Sequence, residues 1–388
     1  MNRRFFAYLL AAAAADSGYW IAQIAQGWLV VKLTDSPLWL GVVSATSQLP
    51  FLLFSLAGGD LADRFDRRLV IACNNVATAI VASVTVVLIA TGAISVWLLA
   101  ALGFVLGTGN AIEHPVDRAW VYDLVDGENV GRAIALSALE WATARTVGPA
   151  IGGAAIATIG IAAGYGAYAL FVLPLVALAL AVRTTNAHAV DDATMTARER
   201  ADDARAIVVF SAFTAVFTIG VSPYIALLPE IAKNAFGLGA AGYGALAAAG
   251  GVGAIGGAAV LSWRGGIRHT GRVATIAALC GALLLVLFTH VHAFVPALLV
   301  LGAMGAVDTL MYALANTYVQ EIAGDAARGR ANAIFSLAFL GGIPLGNALL
   351  GIVAGRVGSQ TALGWSGSAV AVVAVAFWFG APRVRDAA

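Results

Sequence analysis

Charge is scarce in this chain: Asp, Glu, Lys and Arg make up 11% of its 388 residues, and 61% are hydrophobic. A soluble domain carries about 25% charged residues. A soluble protein this apolar has too little polar surface to cover itself, whereas a bilayer accepts Leu, Val, Ala and Phe on the outside of every helix. Cysteine is almost absent: Cys73 and Cys280 lie far apart in apolar stretches, which excludes a disulfide framework or a zinc site and suggests two buried thiols. The only lysines, Lys32 and Lys233, follow Val31 and Ala232, so no G-x-x-x-x-G-K phosphate loop exists and the chain itself does not use ATP. His290 and His292 share a short loop and are too few for a metal site. No metal, cofactor, catalytic residue or nucleic-acid partner is expected. HExxH, GxSxG and clustered His and Asp are missing, which argues against a membrane-embedded enzyme. The loops are too short for the soluble domain of a receptor.

Glycine, by contrast, is abundant at 44 residues. Gly148-xxx-Gly152, Gly253-xxx-Gly257, Gly342-xxx-Gly346 and Gly351-xxx-Gly355 have the spacing that lets membrane helices approach closely. A helix needs about 20 residues to cross the hydrocarbon. Twelve apolar runs of that length are present, the first from 5 to 31 and the last from 361 to 380. The opening Arg3-Arg4 followed by Phe5 to Ala15 is also signal-like, but reading through Asp16 gives one complete span. Seventeen of the twenty-two Lys and Arg residues fall on one side if the N-terminus is inside, and three on the other, Lys32, Lys233 and Arg356. By the positive-inside rule both termini are cytoplasmic.

The longest polar stretch, around Arg183 to Arg205, divides the spans six and six. The domain reading is therefore 1–183 for an N-terminal six-helix bundle, 184–206 for a cytoplasmic linker and 207–388 for a C-terminal six-helix bundle. The halves echo each other: Leu106-Gly107, Gly131-Arg132-Ala133 and Pro149 recur at Leu301-Gly302, Gly329-Arg330-Ala331 and Pro344, the outer two displaced by 195 residues and the middle one by 198. Parallel six-span repeats are how one major transporter fold is built.

The loop between spans two and three reads Gly59-Asp60-Leu61-Ala62-Asp63-Arg64-Phe65-Asp66-Arg67-Arg68. It resembles the major facilitator superfamily loop motif G-x-L-A-D-R-x-G-R-R, with Asp66 where Gly is commoner. Span five carries Gly148-Pro149-Ala150-Ile151-Gly152-Gly153, similar to the G-P-x-x-G-G motif of antiporters in that superfamily. Trp28 to Pro37, Leu49-Pro50, Arg145 before Gly148-Pro149, and Arg328-Gly329-Arg330 resemble its drug:proton antiporter branch, which contains enterobactin and macrolide exporters. The likeness covers nearly the whole chain; Trp263 to Arg268 only faintly repeats the loop motif and lacks its Asp. The resemblance implies an all-α membrane protein of twelve transmembrane helices in two six-helix bundles. It also implies a gating role for Gly59, Asp63, Arg64, Arg67, Arg68 and Arg118, in which Asp63 pairs with Arg118 and the start of span eleven near Arg330 to Asn332. Gly148, Pro149, Gly152 and Gly153 carry the antiporter motif.

Ionisable residues inside a membrane are functional candidates by default. Asp16, Glu140, Arg145 and Asp308 lie near mid-span and Glu113 somewhat inward. In the fold that the resemblance implies, spans one, four, seven and ten line the cavity, which places Asp16, Glu113 and Asp308 there. The proton-coupling candidates are Glu113, Asp308, Asp16 and Arg145, with a Glu113–Arg145 pair expected between adjacent spans. Trp20, Gln23, Gln26, Gln48, Trp120, Trp141, Tyr312 and Asn316 are candidates for the substrate cavity. The resulting expectation is a monomeric secondary active transporter in the bacterial plasma (inner) membrane, surrounded by lipid, exporting small amphipathic drug-like or siderophore-like molecules in exchange for protons. A lysophospholipid flippase or an importer of the same superfamily is the alternative reading; an enzyme or receptor is a remote one. Tags at the N-terminus, in the 183–205 stretch and at the C-terminus should all be shielded in intact cells. External labelling of any of them would overturn the topology.

Overall fold

The structure is a computed structural model, and it describes residues 2–182, 201–264 and 269–386; the side chains at 55–57, 60, 62–63, 201–203, 264 and 324–330 are outside the description. The 184–206 stretch expected as a linker therefore lies mostly outside the described residues. In hydrocarbon every backbone N–H and C=O must find its partner within the chain, so helices are the natural way to cross.

The helices are α1 (Arg3–Thr34), α2 (Pro37–Arg64), α3 (Arg67–Ala90), α4 (Val96–Leu124), α5 (Val130–Thr158), α6 (Ile161–Phe171), α7 (Leu173–Ala181), α8 (Ala201–Gly220), α9 (Tyr224–Asn234), α10 (Ala240–Arg264), α11 (Thr270–Thr289), α12 (Phe294–Val357), α13 (Ser359–Gly380) and α14 (Pro382–Arg385). Two crossings are interrupted where proline cannot continue the ladder, α6 and α7 beside Pro174 and α8 and α9 beside Pro223. Helix α12 is continuous in backbone geometry, yet it makes two crossings. Straight, it would hold Tyr312 and Phe339 about 40 Å apart at 1.5 Å per residue, whereas their rings lie 4.8 Å apart. The chain therefore turns back on itself within α12, and spans ten and eleven are its two arms, 294–323 and 331–357. Among the described residues eleven segments are long and apolar enough to cross a membrane. The twelfth crossing, α5, has the length at 29 residues, but Arg132, Glu140 and Arg145 dilute its apolar character.

Local signals set the helix starts. The Asn2 side chain accepts from the Phe5 N–H at 2.9 Å, Ser95 accepts from Leu98, and Pro37 opens α2. Asp66 explains its own departure from the loop motif: it caps α3, accepting from the Arg68 N–H at 3.1 Å and from the Arg68 guanidinium. Those contacts hold its carboxyl below the usual carboxylate range.

In the N-terminal bundle α1 packs on α5 and α6, α2 on α4, and α3 on α4, α6 and α7; in the C-terminal bundle α8, α10, α11 and α13 pack around α12. The bundles meet along α5 with α10 and α2 with α12. Each has an aromatic core, Phe210 stacked on Tyr318 at 3.9 Å in one and Tyr8 edge-on to Trp120 at 5.5 Å in the other. All four glycine pairs sit at close helix contacts. A methyl at Gly148 would lie 2.6 Å from Trp20 Cβ, and one at Gly257 2.6 Å from the Ala306 carbonyl; Gly346 faces Ile219 and Gly351 faces Gly41. Contrary to the expectation of buried thiols, Cys73 and Cys280 are exposed, on outward faces of α3 and α11 that also carry Val76, Ile276 and Leu283. A thiol is small and apolar enough for a lipid-facing position.

The ends of the bundles that hold the chain termini are tied within each half. Arg67, which the motif places in a loop cluster, is buried and donates to both oxygens of Asp123 at 2.8 and 2.9 Å. Arg68 also reaches the Val182 carbonyl at 2.9 Å, fastening α3 to the end of α7. On the other half Asp386 takes Arg272 and Arg385, and these two guanidiniums hold its carboxyl below the usual range. Breaking a buried pair strands the surviving charge at a cost of about 3–5 kcal/mol, whereas replacing both partners by apolar residues costs far less. Asp123→Ala should therefore lower the thermal unfolding midpoint of the purified protein strongly, and Arg67→Met/Asp123→Leu should recover most of the loss. Equal midpoints for the single and double variants would contradict the pair's burial.

Candidate functional site

The α1–α2, α5–α6 and α9–α10 turns all lie at the end of the molecule opposite the termini, and the two bundles are closed against each other there. Lys233 of α9 contacts Asp35, the left-handed residue (φ 48°) that ends α1, at 2.8 Å. Trp28 stacks on Tyr243 at 6.3 Å, and Asn347 donates to Ser44 at 2.9 Å. Glycine permits the closest approaches: a methyl at Gly41 would lie 2.4 Å from the Asn347 carbonyl, and one at Gly244 2.4 Å from the Pro149 carbonyl and 2.8 Å from Gly153 Cα. Gly153 of the expected antiporter motif thus sits in the seam between the bundles, while Gly148 and Gly152 pack inside the N-terminal bundle against Trp20 and Ile21 of α1. Pro149, buried between them, leaves its carbonyl facing Gly244.

Deeper along this seam stands Arg145, fifteen residues into α5, with Gly251 of α10 against its backbone. Its guanidinium faces Asp308 of α12 at 3.8 Å, an ion pair across the two bundles that is longer than a hydrogen bond, and lies 5.8 Å from the ring centre of Trp20. The side chains are 22% and 19% exposed, so the pair borders open space without being loose in it. Asp308 Oδ1 is buried and has no hydrogen-bond partner among the described residues.

Glu113 is elsewhere. The expected Glu113–Arg145 pair is not formed, because α4 turns Glu113 toward α3, where Asn75 donates to one carboxyl oxygen at 2.6 Å and Asn74 donates to the other. Asp117, one turn further along α4, accepts from the Tyr8 hydroxyl at 2.7 Å. Asp16 and Glu140 approach each other within hydrogen-bonding reach between α1 and α5. Asp117, Glu113, Glu140 and Asp16 are thus a group of carboxyls within the N-terminal bundle, all close enough to act on one another. Asn74, Asn75, Asp117 and Tyr8 were not among the expected site residues, although adjacent amides inside an apolar span are a signal of the same kind as an embedded charge.

The candidate cavity residues divide. Tyr19, Trp20 and Trp141 form one aromatic group, with Trp20 and Trp141 5.8 Å apart and Trp141 40% exposed. Gln23 donates to the Tyr19 hydroxyl at 3.0 Å and Gln48 lies beside that hydroxyl, while Gln26 donates to Ser47 at 2.8 Å. Tyr312, one turn beyond Asp308, is 39% exposed and packs on Phe335 and Phe339. Asn316 donates to Asn332 at 3.4 Å, joining the arms of α12. Trp120 is a core residue, fully buried against Tyr8, and lines no cavity in this state. Of the expected gate, Gly59 faces open space, Arg64 and Arg118 are exposed, and Arg67 and Arg68 are engaged within the N-terminal bundle. The Asp63 side chain and residues 324–330 lie outside the described side chains, and with them the expected contact to Arg330.

A family model described as transmembrane secretion effector matches residues 1–388. A Staphyloferrin A transporter of Staphylococcus aureus (strain NCTC 8325 / PS 47) is 29% identical over 144 residues, 36% of each chain, so the match spans about a third of that relative's length. Among solved structures, a peptide transporter POT aligns with a TM-score of 0.79 and 13% identity over 98% of this chain and 94% of its own. The nucleoside transporter NupG gives 0.73 and 13% over 97% and 98%. A bacterial homolog of the human lysosomal transporter Spinster, in an inward-facing and unoccupied conformation, gives 0.67 and 15% over 99% and 98%. At these identities the likeness shows the fold: an all-α membrane protein of twelve crossings in two six-helix bundles.

Because Gly244 has no room for a side chain in the closed seam, Gly244→Val should hold that end open. Spin labels at Leu33 and Asn234, which flank the Asp35–Lys233 pair, would report it once Cys73 and Cys280 are replaced by Ser. The distance distribution should move to longer values in the variant; an unchanged distribution would show that the seam tolerates the side chain.

Proposed function

The chain belongs to the transmembrane secretion effector family of the major facilitator superfamily, and on that premise we propose that it is a proton-coupled exporter of small amphipathic molecules working by alternating access. The end sealed by Asp35, Lys233, Gly41 and Gly244 is the external one, and the structure is the inward-facing state. Both termini and the 184–206 linker are cytoplasmic, the protein is a monomer in the bacterial inner membrane, and its units are residues 1–183 and 207–388. The arginine distribution supports this orientation, and the partial match to a Staphyloferrin A transporter supports a siderophore-like cargo.

The observation that carries the reading is the Arg145–Asp308 pair. It joins the two bundles at mid-depth, on the inner side of the closed seam, and its strength depends on the charge of one carboxyl group. A proton on Asp308 abolishes the ion pair and weakens the closed external end. With Asp308 ionised, the empty carrier stays locked facing inward. At about 2.3 kcal/mol per charge per 100 mV, one entering proton supplies enough free energy for roughly a 50-fold cargo gradient before any charge on the cargo is counted. Glu113, fixed by two amide donors inside one bundle, reports less directly on opening, and Asp16 and Glu140 are likewise neighbours within that bundle. Asp63 with Arg64 and Arg118 completes the inner gate when the cytoplasmic end closes.

Asp308→Asn keeps the shape and removes the titrating charge. In vesicles with an imposed proton gradient it should abolish gradient-driven accumulation of exported substrate while retaining binding, whereas Glu113→Gln should keep at least half of the gradient-driven rate. Full coupling in Asp308→Asn together with its loss in Glu113→Gln would transfer the carrier role to Glu113.

A further inference from the structure

Arginine carries five N–H donors in a rigid fork suited to carboxylates. In the membrane such a group is normally well satisfied, because an unmade charged hydrogen bond costs more there than in water. Arg145 is an exception. Among the described residues its one carboxylate contact is long, 3.8 Å to Asp308 Oδ2, and the face of Trp20 lies 5.8 Å away. Its partner is equally unfulfilled, with Asp308 Oδ1 buried and unpaired. Trp141 stands one turn before Arg145 and Tyr312 one turn after Asp308, each more than a third exposed. A half-engaged guanidinium bordered by aromatic rings and open on one side is a place for an aromatic or apolar molecule that carries a carboxylate.

We propose that Arg145 binds the carboxylate of the transported molecule, which takes the place of Asp308 on the guanidinium while Trp20 and Trp141 hold the apolar body. The proposal rests on the transport reading above and adds the class of cargo. Two events then release the same lock: a proton neutralises Asp308, or a carboxylate occupies Arg145. The ionised, empty carrier is the form that stays locked, which is the condition an exchanger needs, since an empty carrier that cycled freely would dissipate the gradient.

The test is isothermal titration of the full chain in lipid nanodiscs, without any gradient, with three probes of one shape: 2-naphthoate, neutral 2-naphthamide and the cation 2-naphthylmethylammonium. A charge-assisted pair in place of a neutral contact corresponds to roughly a tenfold preference, so naphthoate should bind about that much more tightly than naphthamide. Arg145→Gln should erase the preference and leave naphthamide binding intact, which also shows that the variant is folded. Arg145→Lys should keep the preference in reduced form. Asp308→Asn, which removes the competing carboxylate, should tighten naphthoate and leave naphthamide unchanged. Equal binding of the three probes, including binding of none, overturns the proposal, as does a preference for the cation or weaker naphthoate binding in Asp308→Asn. Naphthoate binding with no transport in vesicles would sink the export reading and leave the site standing.

Discussion

A guanidinium and a carboxylate placed near the middle of a bilayer each cost about 2.5–3.5 kcal/mol on insertion scales, so the protein that keeps both has to bring them together. Arg145 belongs to one bundle and Asp308 to the other. Their meeting is therefore a statement about how the bundles are placed, and most of the remaining architecture follows from it. The glycines at 41, 153, 244 and 351 remove the side chains that would keep the bundles apart at the end opposite the termini, and the Asp35–Lys233 and Ser44–Asn347 contacts complete the seam beyond the pair. At the opposite end two ion pairs lie within their own halves, Arg67 with Asp123 and Arg272 with Asp386. Each bundle is thus braced as a body at the end that holds the termini, and the contacts that have to be remade during transport lie in the seam.

That division also explains the two kinds of buried acid. Glu113 and Asp117 accept from donors of their own bundle, Asn74, Asn75 and Tyr8, and their contacts need not change as the bundles rock. Asp308 faces the other bundle, and any movement that opens the seam separates it from Arg145. A charge that loses its partner in a low-dielectric setting must find another or be neutralised. A proton on Asp308 or a second carboxylate on Arg145 is enough to end the pair.

Much of this architecture was legible in the residues. Apolar runs of about 20 residues and the arginine bias follow from the bilayer itself, and the small-xxx-small pairs pointed to close helix contacts that the structure places within and between the bundles. The depth of Asp16, Glu140, Arg145 and Asp308 could be counted from span limits. What could not be counted was direction. Adjacent spans suggested Glu113 for Arg145, but a helix has faces, and α4 aims Glu113 at α3 while α5 aims Arg145 into the seam. Trp120 failed for the same reason: an aromatic residue at the right depth faces Tyr8 in the core. Pairing across the bundles depends on how two non-contiguous halves dock, and no local pattern around Asp308 names residue 145 as its partner. The amide pair Asn74-Asn75 was visible, and its meaning emerged only when α3 and α4 were seen to hold Glu113 between them.

In the proposed mechanism the charge of Asp308, through Arg145, governs closure of the end opposite the termini. It is tested most directly by following the Leu33–Asn234 spin-label distance in nanodiscs as the pH is lowered from 8 to 5, in the wild-type background and in Asp308→Asn. A protonated carboxyl group loses its ion pair, so the closed, short-distance population should fall with falling pH in the wild-type background. In Asp308→Asn it should already be reduced at pH 8 and stay nearly constant across the range. A closed population equally sensitive to pH in both proteins would show that another group controls the seam and would contradict the account.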